Sequence, residues 1–197
     1  MSKVLFENSK TKINLLKAFA GESQARNRYT FAASQAKKEG FQVIEKIFNF
    51  TADQEKEHAK LFYSKLAKFG GNTIHIEGDY PIDIYSSTLD LLKHATQNEY
   101  EEYKDVYKSF GDEAGEEGFE EIKNLFYNVA EIEKVHGDRF LKVSSLIESN
   151  ELFESSSEEK WFCLNCGSIH IGKKAPQECE VCNHGQGYFI RSNWILV

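Results

Sequence analysis

The chain has 197 residues and a formal net charge of −7, with 15 phenylalanines, 9 tyrosines and only 2 prolines. That length accommodates one medium domain and a small one, and the aromatic content can fill a sizeable core. An acidic balance without a basic run excludes nucleic acid as the main partner, and no apolar run approaches the length of a membrane span.

Residues 1–9 carry no apolar stretch ahead of a cleavage site, so a cytoplasmic location is expected. A first helix is predicted from about Ser9 or Thr11 to Lys38, ended by Gly40, with Leu15, Ala18, Glu22, Tyr29 and Ala33 on one stripe. A second follows from Phe41 to Phe69, stopped by Gly70 and Gly71. Its stripe is Ile44, Ile47, Thr51, Phe62 and Leu66, with Glu55 and His58 in the middle. The segment from Asn72 to Tyr85, containing Pro81, reads as an extended crossover without helix. A third helix is predicted from Ser87 or Thr88 to Phe110, with Leu92, Ala95, Glu99, Val106 and Phe110 facing inward. Residues 111–118, rich in glycine and glutamate, read as an acidic turn. A fourth helix then runs from Phe119 to Glu148, where Glu133 and His136 interrupt the stripe Ile122, Phe126, Val129, Phe140, Val143 and Ile147.

Beyond it, residues 150–160 are polar and Ser/Glu-rich, the composition of a flexible linker. From Trp161 helical periodicity stops, and Trp161, Phe162, Tyr188, Phe189, Ile190, Trp194 and Ile195 suggest short strands around a small core. A module of that size is not held together by apolar burial alone; it needs a metal or disulfides. The expected fold class is mainly α: a four-helix bundle over 1–149 with one long crossover, a linker over 150–160, and a small β-rich metal module over 161–197.

Two stretches carry the chemistry of the bundle. Glu55 with His58, and Glu133 with His136, are three residues apart and project from one helix face. An ionised carboxylate on a core-facing stripe is costly unless it is neutralised. Glu22 lies 33 residues before Glu55, and Glu99 lies 34 before Glu133, with helix breakers near each midpoint. Antiparallel pairing brings both members of each pair to the same height. One unit thus occurs twice, Glu, helical hairpin, Glu-x-x-His, and in this it resembles the ferritin-like di-iron bundles. Glu102 lies one turn beyond Glu99 on the same face and is a seventh candidate ligand. Five carboxylates then balance two ferrous or two ferric ions to within about one charge, and hard oxygen donors with imidazole suit iron or manganese. Tyr29 and Tyr107 lie on or near inward faces and can hydrogen-bond a ligand glutamate. His75, His94, His170 and His184 lack a helical ligand partner.

Cys163 and Cys166 are separated by 12 residues from Cys179 and Cys182, so two Cys-x-x-Cys knuckles can make a tetrahedral tetrathiolate site. The spacing suits iron or zinc equally. A redox-active carboxylate site in the same chain favours iron, because zinc supplies no electrons; zinc can still enter recombinant protein.

These residues together resemble the rubrerythrin family over nearly the whole chain. The resemblance is carried by residues 21–29 (GESQARNRY), Glu55-x-x-His58, Glu99 with Glu102, and Glu133-x-x-His136 followed by Arg139-Phe140. The tail adds Trp161-x-Cys163-x-x-Cys166-Gly167, then Ala175-Pro176, then Cys179-x-x-Cys182. It implies a ferritin-like bundle joined to a rubredoxin-like tail, with two iron ions in the bundle and one in the tail. It further implies a non-haem peroxidase that reduces hydrogen peroxide to water for oxidative-stress defence in an anaerobe or microaerophile. Electrons would come from an NADH-dependent reductase or through rubredoxin, and the chain would form a head-to-tail homodimer. By the same resemblance Glu55 and Glu133 are bridging ligands, Glu22 is terminal on one ion, and Glu99 and His136 are on the other. Glu102 and His58 are then an exchangeable pair. Two departures occur: Glu180 stands where the family usually has proline, and Ser168 where tyrosine is common. The rival expectation is an iron-handling ferroxidase or storage bundle with a structural zinc tail, and oxygen reduction at the same site is a third.

Overall fold

A computed structural model describes residues 4–194; Ile195 and the side chain of Trp194, expected in the tail core, lie outside what is described. Helix α1 spans Lys10–Lys38 and α2 Gln42–Ser64, with a 3-10 turn at Ala67–Phe69. After an extended crossover come α3, Thr88–Glu101, a π-turn, Glu102–Val106, and α4, Tyr107–Glu116. Helix α5 spans Glu120–Glu148. Since α3, the π-turn and α4 form one continuous column, the described residues make a ferritin-like four-helix bundle with one long crossover, as expected.

Both hairpins close in the same way. Gly40 and Gly118 take φ of 80° and 85°, and the Phe41 and Phe119 amides donate back to the Ala36 and Ala114 carbonyls at 2.9 and 2.8 Å. Glycine is needed at both because a side chain resists the left-handed region. The free N-terminal amides of α1 are capped across the bundle by Glu117, whose carboxylate accepts from the amides of Lys10 and Thr11 at 2.8 and 2.9 Å.

The third column departs from expectation. It continues through Gly111 and Gly115 to Glu116, and only Gly118 makes the turn. Those two glycines serve close packing instead. A Cβ on Gly111 would lie 2.7 Å from the Tyr127 ring, and one on Gly115 2.9 Å from the Lys123 side chain. The π-turn also inserts one residue into the register. Gly40 to Gly118, Glu55 to Glu133 and Tyr29 to Tyr107 are each 78 residues apart, whereas Glu22 to Glu99 is 77. Tyr107, not Val106, is therefore the buried residue one face below Glu99; Val106 and Phe110 are only half-buried.

Two aromatic clusters fill the bundle and repeat by the same offset. In one, Phe140 packs 5.1 Å from both Tyr29 and Phe48 between ring centres. In the other, Phe62 packs 5.4 Å from Tyr107 and 5.1 Å from Phe126. The charged residues lie in the layer between them.

The tail is an antiparallel sheet of order β2-β1-β3, built from Glu154–Cys163, Ile169–Lys174 and Phe189–Arg191. Residues 154–160, expected as flexible linker, are the first part of β1, with Glu159 and Lys160 paired to Gly172 and Ile171. Polar composition misleads here because this part of β1 pairs with β2 alone, β3 reaching only Trp161 to Cys163, and one face of a small sheet is solvated. Trp161 is fully buried and its Nε1–H donates to the Gly172 carbonyl at 2.9 Å. Ile190, Leu152, Phe162 and Leu164 join the apolar cluster of the bundle beside Phe41, so the tail rests on the α1–α2 end of its own bundle. Gly187 packs directly on the Gly40 carbonyl, where any side chain would overlap it.

Candidate metal centres

Each half of the repeat delivers its acids to one layer. Glu22, Glu55, His58, Glu99, Glu133 and His136 are all buried. They form two quartets: Glu22, Glu55, His58 and Glu133, and Glu55, Glu99, Glu133 and His136. Within each, one ligand atom per residue lies within 4.8 Å of the others. Glu55 and Glu133 belong to both quartets. His58 Nδ1 lies 3.0 Å from Glu55 Oε2 and 3.0 Å from Glu133 Oε1. His136 Nδ1 lies 2.9 Å from the other oxygen of each. The two rings face each other at 5.6 Å.

The donor set fits metal ions. Glu22 Oε2, both oxygens of Glu55 and of Glu133, Glu99 Oε2, and Nδ1 of both histidines are buried without a hydrogen bond. Leaving so many polar atoms unpaired is costly unless cations fill the space between them. The remaining oxygens of Glu22 and Glu99 are used otherwise: Tyr107 donates to Glu22 Oε1 and Tyr29 to Glu99 Oε1. Each tyrosine reaches across the pseudo-twofold axis to the other quartet's glutamate and turns its second oxygen inward. Both tyrosines were sequence candidates, and both meet a glutamate here.

Glu102 belongs to neither quartet. It is half-buried at the start of the π-turn and lines a groove of about 700 Å³ with Ala18, Gly21, Tyr80, Pro81 and Tyr107. By the repeat its counterpart is Ala25, so the seventh carboxylate breaks the twofold symmetry. The crossover closes one side of this groove: Asp83 pairs with Arg28 Nε at 3.2 Å and accepts from Asn98 at 2.8 Å.

Without metal the centre stores protons. Burial, then the charges of Glu133 and Glu55, hold the Glu22 carboxyl well above the usual carboxylate range. Burial and the Glu55 charge push Glu99 up to about 8. Burial also works to raise Glu55, but the His136 and His58 imidazoles outweigh it and bring it down to about 2. Burial favours a neutral histidine, yet the Glu133 and Glu55 carboxylates 3.0 Å away raise His58 to about 9. For His136 burial is again outweighed, first by the Glu55 charge, and the value rises to about 12. At pH 7 Glu99 and both imidazoles therefore hold protons that ligation must displace, and the upward shift of Glu22 acts in the same direction. A group whose folded pKa is raised keeps its proton up to that pKa, so metal affinity rises with pH. Anaerobic ferrous titration of the metal-free bundle near pH 7 in weak buffer should release on the order of two protons per ion. Binding without acidification would contradict this.

In the tail, Cys163 Sγ lies 3.8 Å from Cys182 Sγ, and Cys166 Sγ 3.6 Å from Cys179 Sγ, so all four thiols converge. The knuckles turn alike: the Gly167 and Asn183 amides donate to the Cys163 and Cys179 carbonyls at 2.9 Å, with φ of 81° and 57°. Ser168 Oγ, at the position where tyrosine is common, lies 3.1 Å from Cys179 Sγ. A hydroxyl donated to a thiolate favours the more negative, reduced state of a bound iron. Ser168→Ala should lower the midpoint potential of the tail iron, read by spectroelectrochemical titration; an unchanged potential would mean the hydroxyl points elsewhere.

Gln54 gave no signal in the sequence, and Arg139 entered only as part of the resemblance, with no role. Gln54 and Arg139, on α2 and α5, meet behind His136. Only their repeat partners, Ile132 and Leu61, show that the two halves differ here.

The chain matches the family model described as Rubrerythrin over residues 14–144, and that of the rubrerythrin rubredoxin-like domain over 161–190. It is 46% identical to a rubrerythrin of Porphyromonas gingivalis over 183 residues, 93% of this chain and 90% of that protein. It is 42% identical to a rubrerythrin of Nitratidesulfovibrio vulgaris over 190 residues, 95% of this chain and 98% of that one. Among solved structures, nigerythrin in a partially reduced state is 27% identical with a TM-score of 0.63, over 97% of this chain and 93% of that chain. A Desulfovibrio desulfuricans bacterioferritin, 21% identical, shares the bundle fold with a TM-score of 0.63 over 72% of this chain and 82% of its own. With both quartets and the four cysteines in register, the chain belongs to the rubrerythrin family, as an iron-dependent oxidoreductase with a di-iron bundle site and a tetrathiolate iron tail.

Proposed function

We propose that this chain reduces hydrogen peroxide to water, with electrons entering at the tail iron and passing to the bundle. The observation that carries the reading is the pair of quartets sharing Glu55 and Glu133, in a chain that also holds a tetrathiolate site. Two iron ions held there supply, when bound, one electron each to the O–O bond. Glu55 and Glu133, common to both quartets, would hold both ions; Glu22 would hold one, and Glu99 and His136 the other. Glu102 and His58 would exchange on the ion that Glu22 holds.

The protein's own groups move the protons. Burial and the charges of Glu99 and Glu133 hold the Glu102 carboxyl well above the usual carboxylate range, so it can carry a proton where the groove opens. The Tyr29 hydroxyl, donated to Glu99, is the second store. Burial, then the Glu99 charge, raises the Tyr29 pKa, so at rest it holds its proton as the phenol. If Glu102 exchanges, Glu102→Gln should still load two ions and should raise the di-iron potential, because an anion is withdrawn from the more highly charged state. A potentiometric titration showing no change would return Glu102 to an ordinary groove residue.

Within this reading residues 1–149 are the di-iron domain and the tail from Glu154 onward is the electron-entry domain, with residues 150–153 joining them. The donor is rubredoxin or an NADH-dependent reductase, the compartment is the cytoplasm, and the assembly is a head-to-tail homodimer. The tail's seat supports the dimer. It rests at the Gly40 end, and Glu22 is 18 residues away along α1, about 27 Å at helical rise. A partner's tail laid along the bundle wall would shorten that route. No helix of the described residues is long and apolar enough to cross a membrane.

The test is metal analysis of anaerobically purified protein, with turnover of peroxide and of oxygen on the same sample. Iron in the tail and faster peroxide turnover support the proposal. Zinc in the tail, with iron oxidised and retained, would favour the ferroxidase or storage alternative.

A further inference from the structure

The two histidines of the di-iron site are not held alike. His136 Nε2 lies 3.1 Å from Gln54 Oε1. Arg139 Nη1 donates to the same oxygen at 3.0 Å and to Thr51 Oγ1 at 2.8 Å, while its guanidinium lies over the Phe50 ring at 5.1 Å. Arginine can only donate, so the end of the Gln54 amide at this meeting point is the oxygen. That oxygen in turn requires a proton on His136 Nε2, so the proton a metal ion displaces is the one on Nδ1, which points between Glu55 and Glu133.

Nothing equivalent stands behind His58. Counting 78 residues along the repeat, Gln54 corresponds to Ile132 and Arg139 to Leu61, and both hydrocarbons are partly exposed. Among the described residues no hydrogen bond reaches His58 Nε2.

We propose that Gln54, held by Arg139, is a positioning residue that makes His136 a fixed ligand, and that the lack of a counterpart leaves His58 free to leave its ion. Partners of this kind set the tautomer and the ring angle of a ligating imidazole, and their loss typically weakens metal binding by a factor of 10 to 100. The inference rests on the ligand set given above, and the experiment separates the two.

Full-length protein with its cysteine site already filled with zinc is titrated with further zinc by calorimetry. Two binding steps in the unaltered chain uphold the ligand set; their absence would overturn that set and the inference with it. Gln54→Leu should weaken one step at least about tenfold and leave the other unchanged. Gln54→Glu, which still offers an acceptor, should retain both. Nitrogen-15 NMR of histidine-labelled, zinc-loaded protein gives a readout apart from affinity. The unaltered chain should show one protected Nε2–H, and Gln54→Leu none. A purely structural link between α2 and α5 would instead lower thermal stability while leaving the ratio of the two steps unchanged. Equal weakening of both steps, unchanged affinities, or a protected Nε2–H that survives Gln54→Leu would each overturn the proposal.

Discussion

Glu133→Ala is expected to remove both bundle ions, whereas Glu22→Ala removes only one. Glu133 gives one oxygen to each quartet, at 3.0 Å from His58 Nδ1 and 2.9 Å from His136 Nδ1. Its loss leaves each ion with three protein donors and takes away a charge that both ions share. Glu22 lies in one quartet alone. The substitution should lower the stability of the metal-free bundle without unfolding it, since it removes a carboxylate paired with two imidazoles but leaves Glu55 beside both. The aromatic clusters around Phe140 and Phe62 on either side are untouched. Bundle iron per chain should fall from two to near zero for Glu133→Ala, with at least about a hundredfold loss of peroxide turnover. Retention of both ions would mean that the shared geometry is not what holds them.

Cys179→Ser is expected to abolish turnover driven by an external reductant while a chemically reduced bundle still consumes peroxide. Without Cys179 the tail keeps three thiolates, too few for the tetrahedral site. A small module of this kind loses its metal and its fold together. The effect on the bundle should be modest but not nil, because Ile190 and Phe162 of the tail pack into its apolar cluster. Stopped-flow measurement of one reduced equivalent separates the two functions: single-turnover rates stay near those of the unaltered chain, and steady-state rates fall at least about a hundredfold. Mixing this variant with Glu133→Ala then asks which chain the electron comes from. Recovered activity in mixed dimers places the relay across the subunit interface. No recovery, with mixed dimers shown to form, places it within one chain.

How much was legible beforehand depends on what each residue needs. Glu22, Glu55, His58, Glu99, Glu133 and His136 could be read from spacing. A helix face repeats every 3.6 residues, and a charge on an apolar face demands a reason. The four cysteines were legible because a tetrathiolate knuckle is a local structure. Tyr29 and Tyr107 were legible as inward-facing, but not that each would serve the opposite quartet. That crossing depends on the π-turn at residues 102–106, whose extra residue brings Tyr107 instead of Val106 onto the face. No composition marks such a turn. It is stable only because the column on either side is held against α5.

The glycines show the same limit. Gly111, Gly115 and Gly118 look alike in sequence, yet the first two allow close approach to Tyr127 and Lys123, and only the third takes a positive φ. Likewise residues 154–160 read as linker because polarity does not distinguish a solvated coil from a strand with one wet face. Gln54 meets His136 across 82 residues of chain, and no periodicity connects them. The sequence by itself determined which side chains face the core and which of them can bind metal, because those properties are local and periodic. Tertiary structure alone decided which helix supplies the hydrogen bonds to Glu22, Glu99 and His136, because that depends on register between helices far apart in the chain.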